Sequence, residues 1–219
     1  MKQDELKKQL GYKAIEFVEK NTVIGVGTGT TVYYFIEALS TIKNDIIGAV
    51  SSSEQSTKLL QEVGIPVFDV NTIDYLAVYI DGADEINTNL AMIKGGGGAL
   101  TREKILATMA KKFICIADSS KYVDTLGTFP LPIEVLPFAR SVVSQKVMTM
   151  GGLPKYRENM MTDNGCQIID VHQWNITEPE KLEVELNNIP GVLTNGLFSL
   201  RKADVLLLNS ASCGIEIIK

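Results

Sequence analysis

Apolar positions along the chain change period several times, and each change marks an element. Leu6, Leu10, Ala14, Phe17 and Val18 recur at helical spacing with charges between them, which predicts a helix over residues 3–19. TVIGV (22–26) is instead a short β-branched run, followed by GTGTT and then VYYFIEAL: a strand, a glycine-rich loop and a helix from about Thr31. DIIGAV (45–50) repeats the unit and runs into SSSEQST and a helix through Leu59 and Leu60, with Ser51 and Glu54 at capping-box spacing. IPVFDV and YLAVYI read as two further strands, and ILATMAKK as a helix before the strand FICIA (113–117).

Strands that alternate with helices predict a parallel, doubly wound, Rossmann-like sheet. Beyond Pro130, Pro132 and Pro137 the pattern shifts to IEV, a helix from Val142 to Met150, two strands around the turn Asp163-Asn164-Gly165, a helix from Pro179 to Asn188, and a strand near GLFSL. That order is β-α-β-β-α-β, the ferredoxin-like arrangement. ADVLLLN (203–209) is nearly unbroken in apolar character, as in a strand buried on both faces, and is expected to return to the first sheet. The expected architecture is a catalytic Rossmann-like domain of residues 1–128 plus 202–219, carrying a small α+β domain of residues 129–201.

Composition narrows the class. In 219 residues a net charge of −5 offers no basic footprint for nucleic acid. The N-terminal MKQDELKKQL lacks a signal-peptide core and no run reaches the length of a membrane span, so the cytoplasm is the expected compartment. Cys115, Cys166 and Cys213 form no CxxC pair and read as reduced packing residues; His172 reads as structural.

In open parallel sheets, ligands bind beyond the carboxyl ends of the strands, and four loops there are chemically loaded. Gly25-Val26-Gly27-Thr28-Gly29-Thr30-Thr31 offers amides and three hydroxyls at a helix N-terminus, which suits a phosphate or a capped turn. It is neither a dinucleotide fingerprint, which would have glycine in place of Thr30, nor a Walker A loop. Ser51–Thr57 adds hydroxyls, for which helix capping is the simpler use. Asp81-Gly82-Ala83-Asp84-Glu85 puts three carboxylates in five residues: a proton-transfer pair, a solvated turn or a hard-metal site, the single histidine arguing against a transition metal. Lys94-Gly95-Gly96-Gly97-Gly98 runs into Ala99-Leu100-Thr101-Arg102-Glu103-Lys104. Four glycines in a row are costly unless something must approach the backbone closely, and Glu103 either complements the helix dipole or acts as a base.

GVGTGTT, SSSEQST, DGADE, KGGGGALTREK and IADSSK, in this order, resemble the type A ribose-5-phosphate isomerases, and FPLPIEVLPFAR, MTDNG and IPGV extend the resemblance over nearly the whole chain. The resemblance implies an aldose–ketose isomerase of the non-oxidative pentose phosphate branch, with no metal or cofactor, acting on a pentose 5-phosphate as a homodimer or higher homo-oligomer. It implies Glu103 as the base, Lys94 as the enediolate stabiliser, and Asp81 and Asp84 as handlers of hydroxyl protons. Substrate contacts would come from Thr28, Gly29, Thr30, Thr31, Gly82, Ala83, Gly95, Gly96, Gly97, Lys121 and Lys7. Thr30 stands where the family usually has serine, and Gly98 where it often has alanine. A noncatalytic sugar-phosphate sensor is the alternative; such regulators carry a DNA-binding module that this chain shows no sign of.

Overall fold

The structure is a computed structural model describing residues 3–219. It opens with α1 (Gln3–Ala14), β1 (Val23–Val26), α2 (Thr30–Leu39), β2 (Gly48–Ser51), α3 (Glu54–Glu62) and β3 (Tyr79–Asp81). Next come β4 (Glu85–Asn87), β5 (Met92–Ile93), α4 (Leu100–Met109), β6 (Phe113–Asp118) and β7 (Tyr122–Val123). They are followed by β8 (Leu131–Val135), α5 (Arg140–Thr149), β9 (Leu153–Tyr156), β10 (Gln167–His172), α6 (Pro179–Asn187) and β11 (Val192–Asn195). The chain ends with β12 (Leu197–Phe198), β13 (Val205–Ser210) and β14 (Gly214–Ile218). It divides into two compact units, one of the described residues up to Ala83, Arg102–Tyr122 and Ala203–Lys219, the other of Asp84–Thr101 and Val123–Lys202.

The first unit is built on a sheet of order β14-β13-β6-β3-β1-β2, parallel except for the edge strand β14. The chain winds from β1 outward to β2 and then back past β1 to β3, so the winding reverses between β1 and β3. A crevice opens outside the carboxyl ends of strands at such a switch. Ile24, Val26, Phe35, Leu39, Ile80, Ile114 and Leu207 are buried around the sheet. β13 carries the ADVLLLN run, buried from Val205 to Asn209. Asn209 ties α1 to it by donating to the Leu6 carbonyl at 2.9 Å and to Gln9 Oε1 at 3.1 Å.

The second unit contains an antiparallel sheet of order β11-β8-β10-β9, visited in the chain order β8-α5-β9-β10-α6-β11. This is the ferredoxin-like arrangement. Its fourth strand is VLTN, not GLFSL. At Gly196 the chain leaves that sheet, donating to the Pro132 carbonyl at 2.7 Å and accepting from Lys94 N at 2.9 Å, and β12 then pairs with β5. Because β4 pairs with β5 and β5 pairs with β12, residues 84–101 group with the second unit instead of the first, where the strand pattern puts them.

Other expectations change for local reasons. IPVFDV makes only a single bridge, Val67 to Ala49, before Asp69 caps a short 3-10 turn at Val70–Thr72. Within YLAVYI only Tyr79 and Ile80 enter a strand, joined by Asp81. The Asn-Gly turn exists, with Gly165 at φ 72° and its N–H on the Thr162 carbonyl at 2.9 Å, but residues 157–166 separate β9 from β10, so it closes no tight hairpin. The cap of α3 is Ser53, which accepts from Ser56 N at 3.1 Å, while Ser51 bonds the Ser53 carbonyl and Thr57. Cys115 and Cys166 are buried packing residues, but Cys213 is exposed in the turn between β13 and β14.

Candidate active site

β1, β2, β3 and β6 are parallel neighbours, so the loops following them emerge at one edge of the first unit's sheet. Asp81 ends β3, fully buried. Its Oδ1 accepts from Thr28 N at 3.1 Å and Gly82 N at 2.7 Å, and its Oδ2 from the Tyr79 hydroxyl. The carboxylate thus shapes the β1–α2 loop across the winding switch. Burial, then the charges of Asp81 and Glu103, hold the Tyr79 phenol well above its ordinary pKa, so it stays protonated and donates. Ser53 continues the network to the Thr28 hydroxyl at 3.1 Å, and Ser56 donates to the Gly27 carbonyl at 2.7 Å.

A Cβ at Gly27 would lie 1.9 Å from Asp81 Cγ. Gly27→Ala should therefore lower stability by at least about 1–3 kcal/mol, the usual range for overpacking. Chemical denaturation checks this; an unchanged midpoint would mean that Asp81 moves freely.

Among the hydroxyls proposed for phosphate, Thr28 and Thr31 are half-buried and Thr30 is exposed at the start of α2. Gly29, at φ 101°, allows the chain to enter that helix. Lys7, on α1, donates to Thr30 Oγ1 at 2.9 Å, so the structure does bring this lysine to the loop. Lys121 sits on the turn Ser119–Lys121 after β6, a turn capped by Asp118 accepting from Ser120 N at 3.0 Å. Glu103 lies in the first turn of α4, 3% exposed, where a negative charge is favoured by the helix dipole. Its neighbour Arg102 is paired with Glu54 at 2.9 Å.

The second unit carries Asp84 and the glycine loop. Asp84 Oδ2 accepts from Gly96 N at 2.7 Å, and a Cβ at Gly96 would come within 2.6 Å of Asp84 Oδ1. Gly95 and Gly98 have φ of 105° and 83°, and Gly98 N closes a turn on the Gly95 carbonyl at 2.9 Å. Lys94 is 3% exposed, with Nζ 5.6 Å from the Phe198 ring centroid.

The three carboxylates of the acidic turn therefore have separate tasks. Glu85 accepts from Gly127 N at 2.7 Å and Phe129 N at 2.5 Å, which makes it a structural acceptor. Among the described residues no group of three His, Cys, Asp or Glu side chains is placed to hold a metal ion. Sequence reasoning missed three contributors: Tyr79, Glu134 and Arg157. Tyr79 was accessible, since residues two apart on a strand share a face. Buried Glu134 accepts from Thr101, from Thr162 at 2.5 Å and from Asn164 at 3.1 Å, so the Asn-Gly turn and the first turn of α4 share one carboxylate. His172 ends β10 opposite Leu153, away from these loops in the pairing pattern.

A family model described as ribose 5-phosphate isomerase A (phosphoriboisomerase A) matches residues 48–212. The ribose 5 phosphate isomerase A of Neisseria gonorrhoeae is 53% identical, covering 99% of this chain and 96% of its own, with a TM-score of 0.96. A D-ribose-5-phosphate isomerase solved in complex with phospho-erythronic acid is 37% identical over 100% of both chains, TM-score 0.96. The enzyme of Methanocaldococcus jannaschii is 37% identical over 98% of both chains, TM-score 0.93. The class these findings define is an α/β isomerase. The chain belongs to the ribose 5-phosphate isomerase A family.

Proposed function

We propose that the protein interconverts D-ribose 5-phosphate and D-ribulose 5-phosphate through an enediolate, with Glu103 carrying the proton between C2 and C1. The observation that carries this reading is Glu103 itself: a carboxylate only 3% exposed, in the first turn of the helix that directly follows the four-glycine loop. A fixed carboxylate shielded from water is a competent general base. Lys94 stabilises the oxygen on which negative charge develops, aided by glycine amides. Asp84 and Asp81 handle hydroxyl protons, including those of ring opening. Thr28, Gly29, Thr30 and Thr31 hold the phosphate with Lys7 and Lys121, each charge-assisted hydrogen bond contributing about 1.5–3 kcal/mol. Binding at that remote group positions C2 against the base. Gly82, Ala83, Gly95, Gly96 and Gly97 supply backbone contacts.

In this reading the protein is a cytoplasmic homodimer or larger homo-oligomer in the non-oxidative pentose phosphate branch. Among the described residues no helix is long and apolar enough to cross a membrane. The test is ketose formation from ribose 5-phosphate by the purified protein in excess EDTA, with turnover expected. Binding without turnover would make the chain a sugar-phosphate sensor, and activity restored only by a divalent cation would overturn the metal-free mechanism.

A further inference from the structure

We infer that Arg157, braced by Asp170, is a positioning residue for the reaction: it holds the Gly95–Gly98 loop with the Gly96 amide turned toward Asp84 and the Gly97 amide toward the developing oxyanion. Arg157 lies on the β9–β10 connection, about sixty residues from the loop it touches, and is 18% exposed. One edge of its guanidinium is committed to Asp170, Nε to Oδ2 at 2.7 Å and Nη2 to Oδ1 at 2.5 Å. The remaining nitrogen, Nη1, donates to the Gly95 carbonyl at 3.2 Å and the Gly96 carbonyl at 3.0 Å, with Met160 Sδ at 3.6 Å.

Peptide planarity gives this clamp a consequence. In a trans peptide the carbonyl of one residue and the N–H of the next point in opposite directions. With the Gly95 carbonyl on Arg157, the Gly96 N–H must face away, and it donates to Asp84 at 2.7 Å. With the Gly96 carbonyl on Arg157 as well, the Gly97 N–H is turned away from the guanidinium too. Gly96 and Gly97 are exposed, so this face is open to a ligand. Four glycines have many alternative conformations of similar energy, and nothing in their own side chains selects one. The guanidinium fork makes that selection. A lysine ammonium has no second edge with which to grip Asp170 and both carbonyls together.

The inference rests on the proposed enediolate mechanism. Arg157→Lys should lower kcat about 10-fold to 100-fold with KM for ribose 5-phosphate little changed, since misplacement of about 1 Å costs rate on that scale. Inhibition by phospho-erythronic acid, the compound held by the 37% identical isomerase, should weaken by a similar factor. Asp170→Asn, which keeps the side chain's shape, should shift kcat and inhibition in the same direction and covers the case in which Arg157→Lys fails to fold. A lower thermal midpoint with unchanged kcat and inhibition in both variants would reduce the pair to a structural role and overturn the inference. Glu103→Gln assayed in parallel separates the two ideas: full turnover there sinks the mechanism, whereas its inactivity alongside normal Arg157 and Asp170 variants sinks only the positioning role.

Discussion

Glu103→Gln should lower kcat by about 10² to 10⁴, the usual contribution of a positioned acid–base group, while KM for ribose 5-phosphate stays within a few-fold. Glutamine keeps the length and shape of the side chain but cannot accept a proton at C2. Because the position is 3% exposed, bulk water has little access to act in its place. Loss of the charge from the first turn of α4 should cost up to about 2 kcal/mol of stability at this buried position, and a thermal midpoint checks that the variant is folded. Steady-state ketose formation gives the rate, and exchange of the C2 proton with solvent should be lost in step with it. Near-normal turnover would remove Glu103 from the base role.

The elements legible in the sequence were those with a strong period. The β1-α2 and β2-α3 units, FICIA as β6 and ADVLLLN as β13 stand where their patterns put them. What failed was the assignment of partners. Leu197–Phe198 has the composition of a ferredoxin-like edge strand, yet Gly196 turns the chain toward β5, because a side chain there would meet the Lys94 carbonyl at 2.3 Å. IPVFDV is apolar enough for a strand, but Asp69 caps a turn instead. Local composition contains no term for either event.

The candidate site divides in the same way. Asp81, Asp84, Lys94 and Glu103 could be picked out because their loops are chemically unusual. Their individual tasks could not, since Asp81, Asp84 and Glu85 look alike until each is seen on its own amides. Arg157 gave no signal at all: an arginine in KYREN is ordinary until the fold sets it against the carbonyls of Gly95 and Gly96.

Lys94→Met should lower kcat by about 10² to 10³, as expected for loss of a donor aimed at a developing oxyanion. Methionine keeps most of the unbranched apolar stem and can pack against Phe198, whose ring centroid lies 5.6 Å from the ammonium, so the substitution removes charge with little change in shape. The ammonium is buried, so the thermal midpoint is measured alongside the rate to separate loss of chemistry from loss of stability. Lower activity without lower stability is the signature of a residue retained for its chemistry. Arginine should restore little, because its planar fork is larger than a point-like ammonium and would have to fit the same buried space. An increase in KM with unchanged kcat would instead place Lys94 in ground-state binding and leave stabilisation of the enediolate to the glycine amides.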